Sequence, residues 1–181
     1  MLERVLYIMV RLVLLSVFFI YMTVVTLSYF DYFEPYLYPL RFIRGEASRA
    51  TQHIILGPYP CYEELERLRN SFGVEIVVSL LNVKLPQEKA LYEREKINSK
   101  KLGMEVVNYP MGYLYLESES NEELIKKCVA FLRQNRDRTV YIHCYLGRHR
   151  TGFVRKRLVE AGLIDTKRKD LTAERVFVIS G

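Results

Sequence analysis

The sequence predicts an α/β protein in which a central, mostly parallel β-sheet is flanked by helices and preceded by one transmembrane helix. Strand-like and helix-like segments alternate after residue 50, which is the order of a parallel sheet covered on both faces. The segment Glu75–Leu81 is a near-continuous apolar run, as in a strand buried on both sides. Before these segments, Leu12–Phe30 contains 19 residues without a charge. The 181 residues therefore divide into an anchor at 1–30, a connector at 31–50 and one folded domain at 51–181.

The amino-terminal segment has the length and composition of a membrane span. At about 1.5 Å per residue, the stretch between Arg11 and Asp31 covers roughly the 30 Å hydrocarbon core of a bilayer. A cleaved signal peptide is disfavoured because no small-x-small site follows, and the first alanine is Ala47. A helix buried in a soluble core is the alternative. Aromatic residues suited to the membrane–water interface follow the stretch: Tyr29, Phe30, Tyr32, Phe33, Tyr36 and Tyr38.

The elements of the folded domain are predicted from hydrophobic spacing and from glycine and proline breaks. The predicted strands are His53–Leu56, Glu75–Leu81, Met104–Tyr109 and Thr139–His143. The predicted helices are Tyr62–Phe72, Gln87–Leu102, Asn121–Gln134 and Phe153–Ala161, and Leu171–Ile179 offers one last brief element.

Local signals support the helix boundaries and their inward faces. Leu65 and Leu68 form the inward face of the first helix, and Gly103 is the expected C-cap of the second. Ser120–Glu123 has the pattern of a capping box that opens the third helix. That helix places Leu124, Val129 and Leu132 at core spacing, and Cys128 is expected on the same face.

One loop in this pattern carries chemistry. Residues 143–152 read HCYLGRHRTG and follow the last predicted strand. A loop between a strand end and a helix start aims successive backbone N–H groups at one point, which makes an anion site. Cys144 and Arg150 lie six positions apart in this loop. Because a thiolate is a nucleophile and a planar guanidinium binds two phosphate oxygens at once, the pair predicts attack of Cys144 on phosphorus. The alternative is a buried structural cysteine beside a basic helix start.

The H-C-x5-R-T-G order of residues 143–152 resembles the signature of cysteine-dependent phosphatases, the protein tyrosine and dual-specificity group. The basic pair Arg148 and His149 makes the loop most similar to that of atypical dual-specificity phosphatases. The resemblance covers about residues 50–180 in general layout, but only the loop is specific. It implies a protein tyrosine phosphatase-like fold and makes residues 51–181 the catalytic domain.

The resemblance also implies a role for each loop residue. Cys144 would form a phosphocysteine intermediate, and Arg150 would bind and orient the phosphoryl group. His143 would order the loop and keep the thiol ionised, and Thr151 would hydrogen-bond the sulfur or act as a helix N-cap. Gly147 suits a position of close approach or positive φ. Backbone N–H groups would hold the phosphate oxygens, so the predicted substrate-binding residues are Tyr145, Leu146, Gly147, Arg148, His149 and Arg150.

The general acid departs from the family pattern. These phosphatases use an aspartate on a separate upstream loop to protonate the leaving oxygen, but the corresponding window Tyr109–Ser120 contains no aspartate. Its carboxylates are Glu117 and Glu119, and we predict Glu117 as the acid, provided that burial keeps it protonated. The alternative is that both are solvated carboxylates before a helix. An enzyme without an acid would be slow on alkyl phosphates and better on activated leaving groups, and an inactive module that only binds phosphate is then the alternative.

Composition limits the kinds of cofactor and binding partner that are expected for this chain. Cys61, Cys128 and Cys144 are odd in number and irregular in spacing, which indicates neither a disulfide framework nor a zinc site. A catalytic thiolate needs reducing surroundings, so the domain is expected in the cytoplasm. The formal net charge of +6 favours anionic partners, and no motif supports nucleic-acid binding. Neither metal nor organic cofactor is expected, because the loop and Arg150 supply the positive charge.

Together these observations predict a single-pass, membrane-anchored phosphatase that hydrolyses phosphate monoesters. Its expected substrate is a phosphorylated protein or an anionic phospholipid head group. Arg148 and His149 favour a polyanionic head group such as a phosphoinositide, unless they point to solvent or brace the loop. A catalytically weak or inactive phosphate-binding module on the same anchor is the alternative.

Overall fold

The chain forms five helices and five strands in the computed structural model, which describes residues 2–29 and 44–165. The helices are α1 (Leu2–Ser28), α2 (Tyr62–Phe72), α3 (Pro86–Lys101), α4 (Glu119–Gln134) and α5 (His149–Glu160). The strands are β1 (Ser48–Arg49), β2 (Ile54–Pro58), β3 (Val74–Ser79), β4 (Glu105–Asn108) and β5 (Thr139–Cys144). The last predicted element, Leu171–Ile179, lies outside the described residues.

The strands form one sheet in the order β1-β2-β5-β3-β4. Only β1 is antiparallel to its neighbour, and the other pairings are parallel, which confirms the predicted mostly parallel sheet. In register, Cys144 lies beside Pro58, and His143 lies beside Gly57 on one side and Ser79 on the other. The carboxyl ends of three strands therefore meet where the loop begins, and ligands bind at this edge of open α/β sheets.

Helices cover both faces of the sheet, as predicted. On one face, α4 and α5 bury Ile125, Cys128 and Leu158 against Val78 and Ile142. On the other face, α2 supplies the buried pair Leu65 and Leu68, and a smaller cluster of Tyr59, Leu81 and Leu91 joins α3 to the sheet. The three central strands, β2, β3 and β5, are buried on both sides, which explains why the sequence shows apolar runs there instead of strict alternation.

Helix α1 is long and apolar enough to cross a membrane over Arg4–Ser28, and the most apolar window of this stretch is exposed throughout. Its last residues, 24–28, are half-buried where α1 packs against α3. There the guanidinium carbon of Arg94 lies 5.9 Å from the centre of the Tyr29 ring, a cation–π contact. The other predicted interfacial aromatics, Phe30 to Tyr38, lie outside the described residues.

Two helix starts differ from the sequence prediction by two residues or more. Helix α4 begins at Glu119, and its N-cap Ser118 accepts a hydrogen bond from the Asn121 amide, so the capping box at Ser120–Glu123 is wrong. The buried Asn121 side chain bonds the backbone of Gly112 and Tyr115, which fixes this earlier start. Helix α5 begins at His149 instead of at the predicted Phe153.

Residues 44–50, which the sequence analysis assigns to the connector, contribute to the folded domain. Within them, β1 pairs with Leu56 and Ile55 of β2, and Ala47 is fully buried. The boundary at residue 51 stays a prediction. The sheet gains its one antiparallel strand from this segment.

Candidate active site

The loop between β5 and α5 turns its carbonyl groups outward. The Tyr145 carbonyl accepts from the Tyr59 amide at 3.1 Å, and the Leu146 carbonyl accepts from the Gly45 amide at 2.7 Å. Every peptide bond in the described residues is trans, so the N–H of the next residue points the opposite way from each carbonyl. The N–H groups of Leu146 and Gly147 therefore point into the loop. This arrangement produces the amide-lined cup that an anion requires.

Gly147 is required at the turn of this loop for two reasons. Its φ is 68°, in the left-handed region that glycine adopts without strain. A Cβ at this position would lie 2.3 Å from the Pro58 nitrogen and 2.6 Å from the Gly57 carbonyl carbon. The loop thus packs directly on the backbone at the end of β2, with no room for a side chain.

We expect Gly147→Ala to disrupt the loop. The reference is Gly73→Ala, because Gly73 has a φ of 65° and open space around the added Cβ. Left-handed strain alone should lower the free energy of unfolding of Gly73→Ala by about 1 kcal/mol. Gly147→Ala carries the same strain and a backbone clash, so urea unfolding should show a loss at least about twofold larger. Equal losses in the two variants would contradict this packing.

Cys144 lies at the floor of the cup. It is the last residue of β5 and is 2% exposed, at the edge of the core on the α4 and α5 side. Its Sγ lies 3.4 Å from Oγ1 of Thr151, which is also buried. Because Thr151 belongs to the first turn of α5, the alternative that it caps the helix is wrong. Its hydroxyl is instead directed at the sulfur, in the position that the predicted hydrogen-bonding role requires.

Arg150 is buried beside the cysteine and held by a carboxylate. Its two terminal nitrogens bond the two carboxylate oxygens of Glu88 at 2.8 and 2.5 Å, and Nη1 also donates to the Leu80 and Met111 carbonyls. Burial lowers the pKa of Arg150, but the hydrogen bonds and charge of Glu88, followed by those of Cys144, raise it overall. The guanidinium is therefore a fixed positive charge in contact with the sulfur, turned inward and not toward solvent.

His143 lies beneath the loop on the opposite face of the sheet. Its Nε2 contacts Oε1 of Glu95, both side chains are fully buried, and the geometry falls outside that of a hydrogen bond. The imidazole stacks on the Tyr141 ring at 5.7 Å and meets the Tyr59 ring edge-on at 5.8 Å. The residue before the cysteine is thus locked in one orientation by packing, as an ordering role for the loop requires.

The two additional basic residues of the loop are exposed. Nη2 of Arg148 donates to the Arg44 carbonyl at 3.3 Å, so this side chain braces the loop against the segment before β1. His149 is the first residue of α5 and lies at the rim of the cup. Both residues therefore match the alternative in which these side chains point to solvent or brace the loop.

Glu117 is not buried, as its predicted role as general acid would require. It lies exposed in a turn before α4, and Glu119 is exposed in the first turn of that helix. The loop that contains Glu117 reaches the site through Met111, which is buried and whose carbonyl accepts from Arg150. The role of Glu117 as general acid stays a prediction that burial does not support.

Glu88 and Glu95 are the site residues that sequence reasoning missed. The sequence predicts helix α3 but no site residue in it, yet Glu88 is 8% exposed and Glu95 is 0% exposed. The signal was their spacing of seven positions, which puts two carboxylates on one helical face. Glu88 contacts Arg150 and Glu95 contacts His143, so helix α3 supports the cup at two points.

Comparisons with known proteins agree with this geometry. The family model of the tyrosine phosphatase family matches residues 36–158. A search of the curated proteins found no match. Among solved structures, a candidate phosphatase (DUF442) from Shewanella putrefaciens CN-32 is 18% identical, with a TM-score of 0.55 over 70% of this chain and 74% of the other.

Two further solved structures share the fold. The Siw14 catalytic core is 19% identical, with a TM-score of 0.51 over 64% of this chain and 68% of that one. PTPMT1 in complex with PI(5)P is 20% identical, with a TM-score of 0.50 over 65% and 74% of the two chains. The match of the family model to two thirds of the residues, together with the cup around Cys144, shows that this chain belongs to the tyrosine phosphatase family.

Proposed function

We propose that this chain is a membrane-anchored, cysteine-dependent phosphatase of the dual-specificity type that hydrolyses phosphate monoesters. The observation that carries the proposal is the grouping of Cys144, Thr151 and Arg150. A sulfur lies at the floor of an amide-lined cup, 3.4 Å from a hydroxyl and beside a guanidinium fixed by Glu88. Membership of a phosphatase family gives these groups a reaction to perform.

In the first step, the Cys144 thiolate attacks phosphorus, so that an S–P bond forms as the P–O bond to the leaving group breaks. The loop N–H groups and Arg150 bind the equatorial oxygens and stabilise their charge as it develops. The leaving oxygen takes a proton from a general acid or departs as an anion. Because Arg150 is already held by Glu88, little reorganisation is needed when the phosphate enters.

In the second step, water attacks the phosphocysteine, the S–P bond breaks and inorganic phosphate leaves. The sulfur then becomes a thiolate again. The Thr151 hydroxyl, 3.4 Å from Sγ, donates to the departing sulfur and stabilises it. Both steps are assigned to protein groups, and neither step uses a metal ion.

The anchor favours a substrate that is presented at a membrane. Helix α1 provides a span of 25 residues, and we propose that it crosses the bilayer with the catalytic domain in the cytoplasm. Arg148 and His149 do not add to this preference, because both are exposed and Arg148 braces the loop through the Arg44 carbonyl. PTPMT1, a protein of similar fold, was solved with PI(5)P. A membrane-associated phosphoprotein would be presented in the same way.

The general acid can be tested through the leaving group. If Glu117 protonates the leaving oxygen, Glu117→Gln should slow hydrolysis of an alkyl phosphate about 10²-fold. An aryl phosphate with a good leaving group needs little protonation, so its rate should fall much less. The measurement is kcat for both substrates with the full chain in nanodiscs, and Glu119→Gln, an exposed neighbour, is the matched control.

The same assay separates the enzyme from the binding module. Equal alkyl phosphate rates for Glu117→Gln and the parent would exclude Glu117 as the acid. If the parent binds inorganic phosphate but releases none from either substrate, the chain is a phosphate-binding module. The exposure of Glu117 is the observation that favours this second function.

A further inference from the structure

Four of the five large exposed hydrophobic side chains of the folded domain belong to the cup loop or to the segment just after Met111, whose carbonyl bonds Arg150. Within residues 44–165, the large hydrophobic side chains that are exposed are Ile97, Tyr113, Leu114, Tyr115 and Leu146. Three of the five are consecutive, and Leu114 and Tyr115 are 76% and 81% exposed. Leu146 belongs to the cup itself. Contiguous exposed apolar groups on a folded domain mark an interaction surface.

The segment 113–115, here called the tip, is exposed although its backbone is fixed. The Asn121 side chain, 1% exposed, accepts from the Gly112 amide through Oδ1 and donates through Nδ2 to the Gly112 and Tyr115 carbonyls. On the other side, the Met111 carbonyl accepts from Arg150 at 3.3 Å. The three side chains therefore project from a fixed backbone beside the phosphate site. Binding to them costs little conformational entropy, because the tip is already ordered.

The end of the anchor lies close to the same site. Tyr29, just after α1, contacts Arg94 of α3, and Glu88 of the same helix holds Arg150. Arg94 and Glu88 are six positions apart, or about 9 Å along a helix axis. The point where the chain leaves α1 is thus joined to the cup by a short rigid segment, so a bilayer that contains α1 lies near the cup.

We propose that the tip, Tyr113-Leu114-Tyr115, enters the membrane interface and presents the cup to the phosphate of a lipid head group in the same bilayer. This rests on the proposed function, because it requires that α1 spans the membrane and that the cup binds phosphate. Tyrosine is enriched at the level of the head groups, and leucine beside it reaches the acyl chains. The substrate class is therefore a phosphorylated lipid, and not a phosphoprotein that diffuses from solution.

Fluorescence can test the tip directly, because the chain contains no tryptophan. In Leu114→Trp, the single indole reports the environment of the tip in the full chain reconstituted in nanodiscs. Lipids brominated near the top of the acyl chain should quench at least half of its emission. Asp137→Trp is the control, because Asp137 is exposed just before β5, at the opposite end of the strand from the cup. Equal, weak quenching of the two variants would overturn the proposal.

A second measurement separates failure of this inference from failure of the proposed function. Leu114→Asp and the parent are compared on an aryl phosphate in solution and on a phosphoinositide in the same nanodisc. We expect the ratio of lipid to aryl turnover to fall at least tenfold in Leu114→Asp. An unchanged ratio with both rates high would overturn the tip alone, whereas absence of aryl turnover in the parent would overturn the proposed function. If Leu114→Asp slows turnover of a phosphopeptide, and lipid does not quench Leu114→Trp, the tip is a protein-docking surface and the proposal is overturned.

Discussion

Cys144→Ser should release phosphate from an aryl phosphate at least about 10⁴-fold more slowly than the parent, because it removes the nucleophile. A serine hydroxyl is a far weaker nucleophile toward phosphorus than a cysteine thiolate. The cup and Arg150 stay in place, so binding of inorganic phosphate should change little. The measurements are steady-state turnover and phosphate affinity of the full chain in nanodiscs.

The matched control is Cys61→Ser. Cys61 is buried like Cys144 but occupies the N-cap of α2, where serine is a preferred residue, so activity and stability should be preserved. Burial raises the pKa of Cys61 and of Cys128 to about 12, so both stay protonated well above neutral pH. Iodoacetamide at pH 7 should therefore label the parent once and Cys144→Ser not at all. Turnover by Cys144→Ser within tenfold of the parent would contradict the assignment of the nucleophile.

Arg150→Lys should lower kcat/KM by about 10³-fold while the positive charge is conserved, because a lysine cannot bind two phosphate oxygens with a planar fork. It also loses the paired hydrogen bonds to the two oxygens of Glu88, so the ammonium is no longer held in place beside the sulfur. The loss should appear in kcat as well as in KM. The same substrate and preparation serve for this measurement.

Arg157→Lys is the control on the same helix. Arg157 pairs with Glu122 and Glu160 at the surface, and its replacement should change the rate less than twofold.

Glu88→Gln then tests the support of Arg150, since it keeps the charge of the guanidinium and removes that of its partner. We expect kcat/KM to fall about tenfold through misplacement of Arg150. A thermal unfolding curve identifies any variant that loses its fold, because breaking a buried pair is costly.

The sheet, its flanking helices and the catalytic loop could be predicted from the sequence. Apolar runs such as the one in β3 report local backbone preferences, and the spacing of Cys144 and Arg150 reports one local loop. These signals depend on neighbours in sequence. The structure confirms the fold class for that reason, and it brings Cys144, Arg150 and Thr151 together as the motif implied.

The supports of the site could not be predicted, because they are contacts between distant segments. Glu88 is separated from Arg150 by 62 positions, and its burial is invisible in a helix whose other faces are charged. The start of α4 was missed for a similar reason, since Asn121 is anchored by the loop before it and not by its own helix. Exposure of Glu117 likewise depends on how this loop folds back on Arg150.

The contact of Gly45 with the catalytic loop determines where a soluble fragment can begin. The Gly45 amide holds the Leu146 carbonyl, and Arg44 bonds Glu64 and the Tyr59 carbonyl while accepting from Arg148. A truncation after residue 45 would remove all of these supports together with the anchor, and the shortened protein would then lose phosphate affinity for reasons unrelated to the bilayer. A fragment for crystallisation or for assays in solution should therefore begin at or before Arg44.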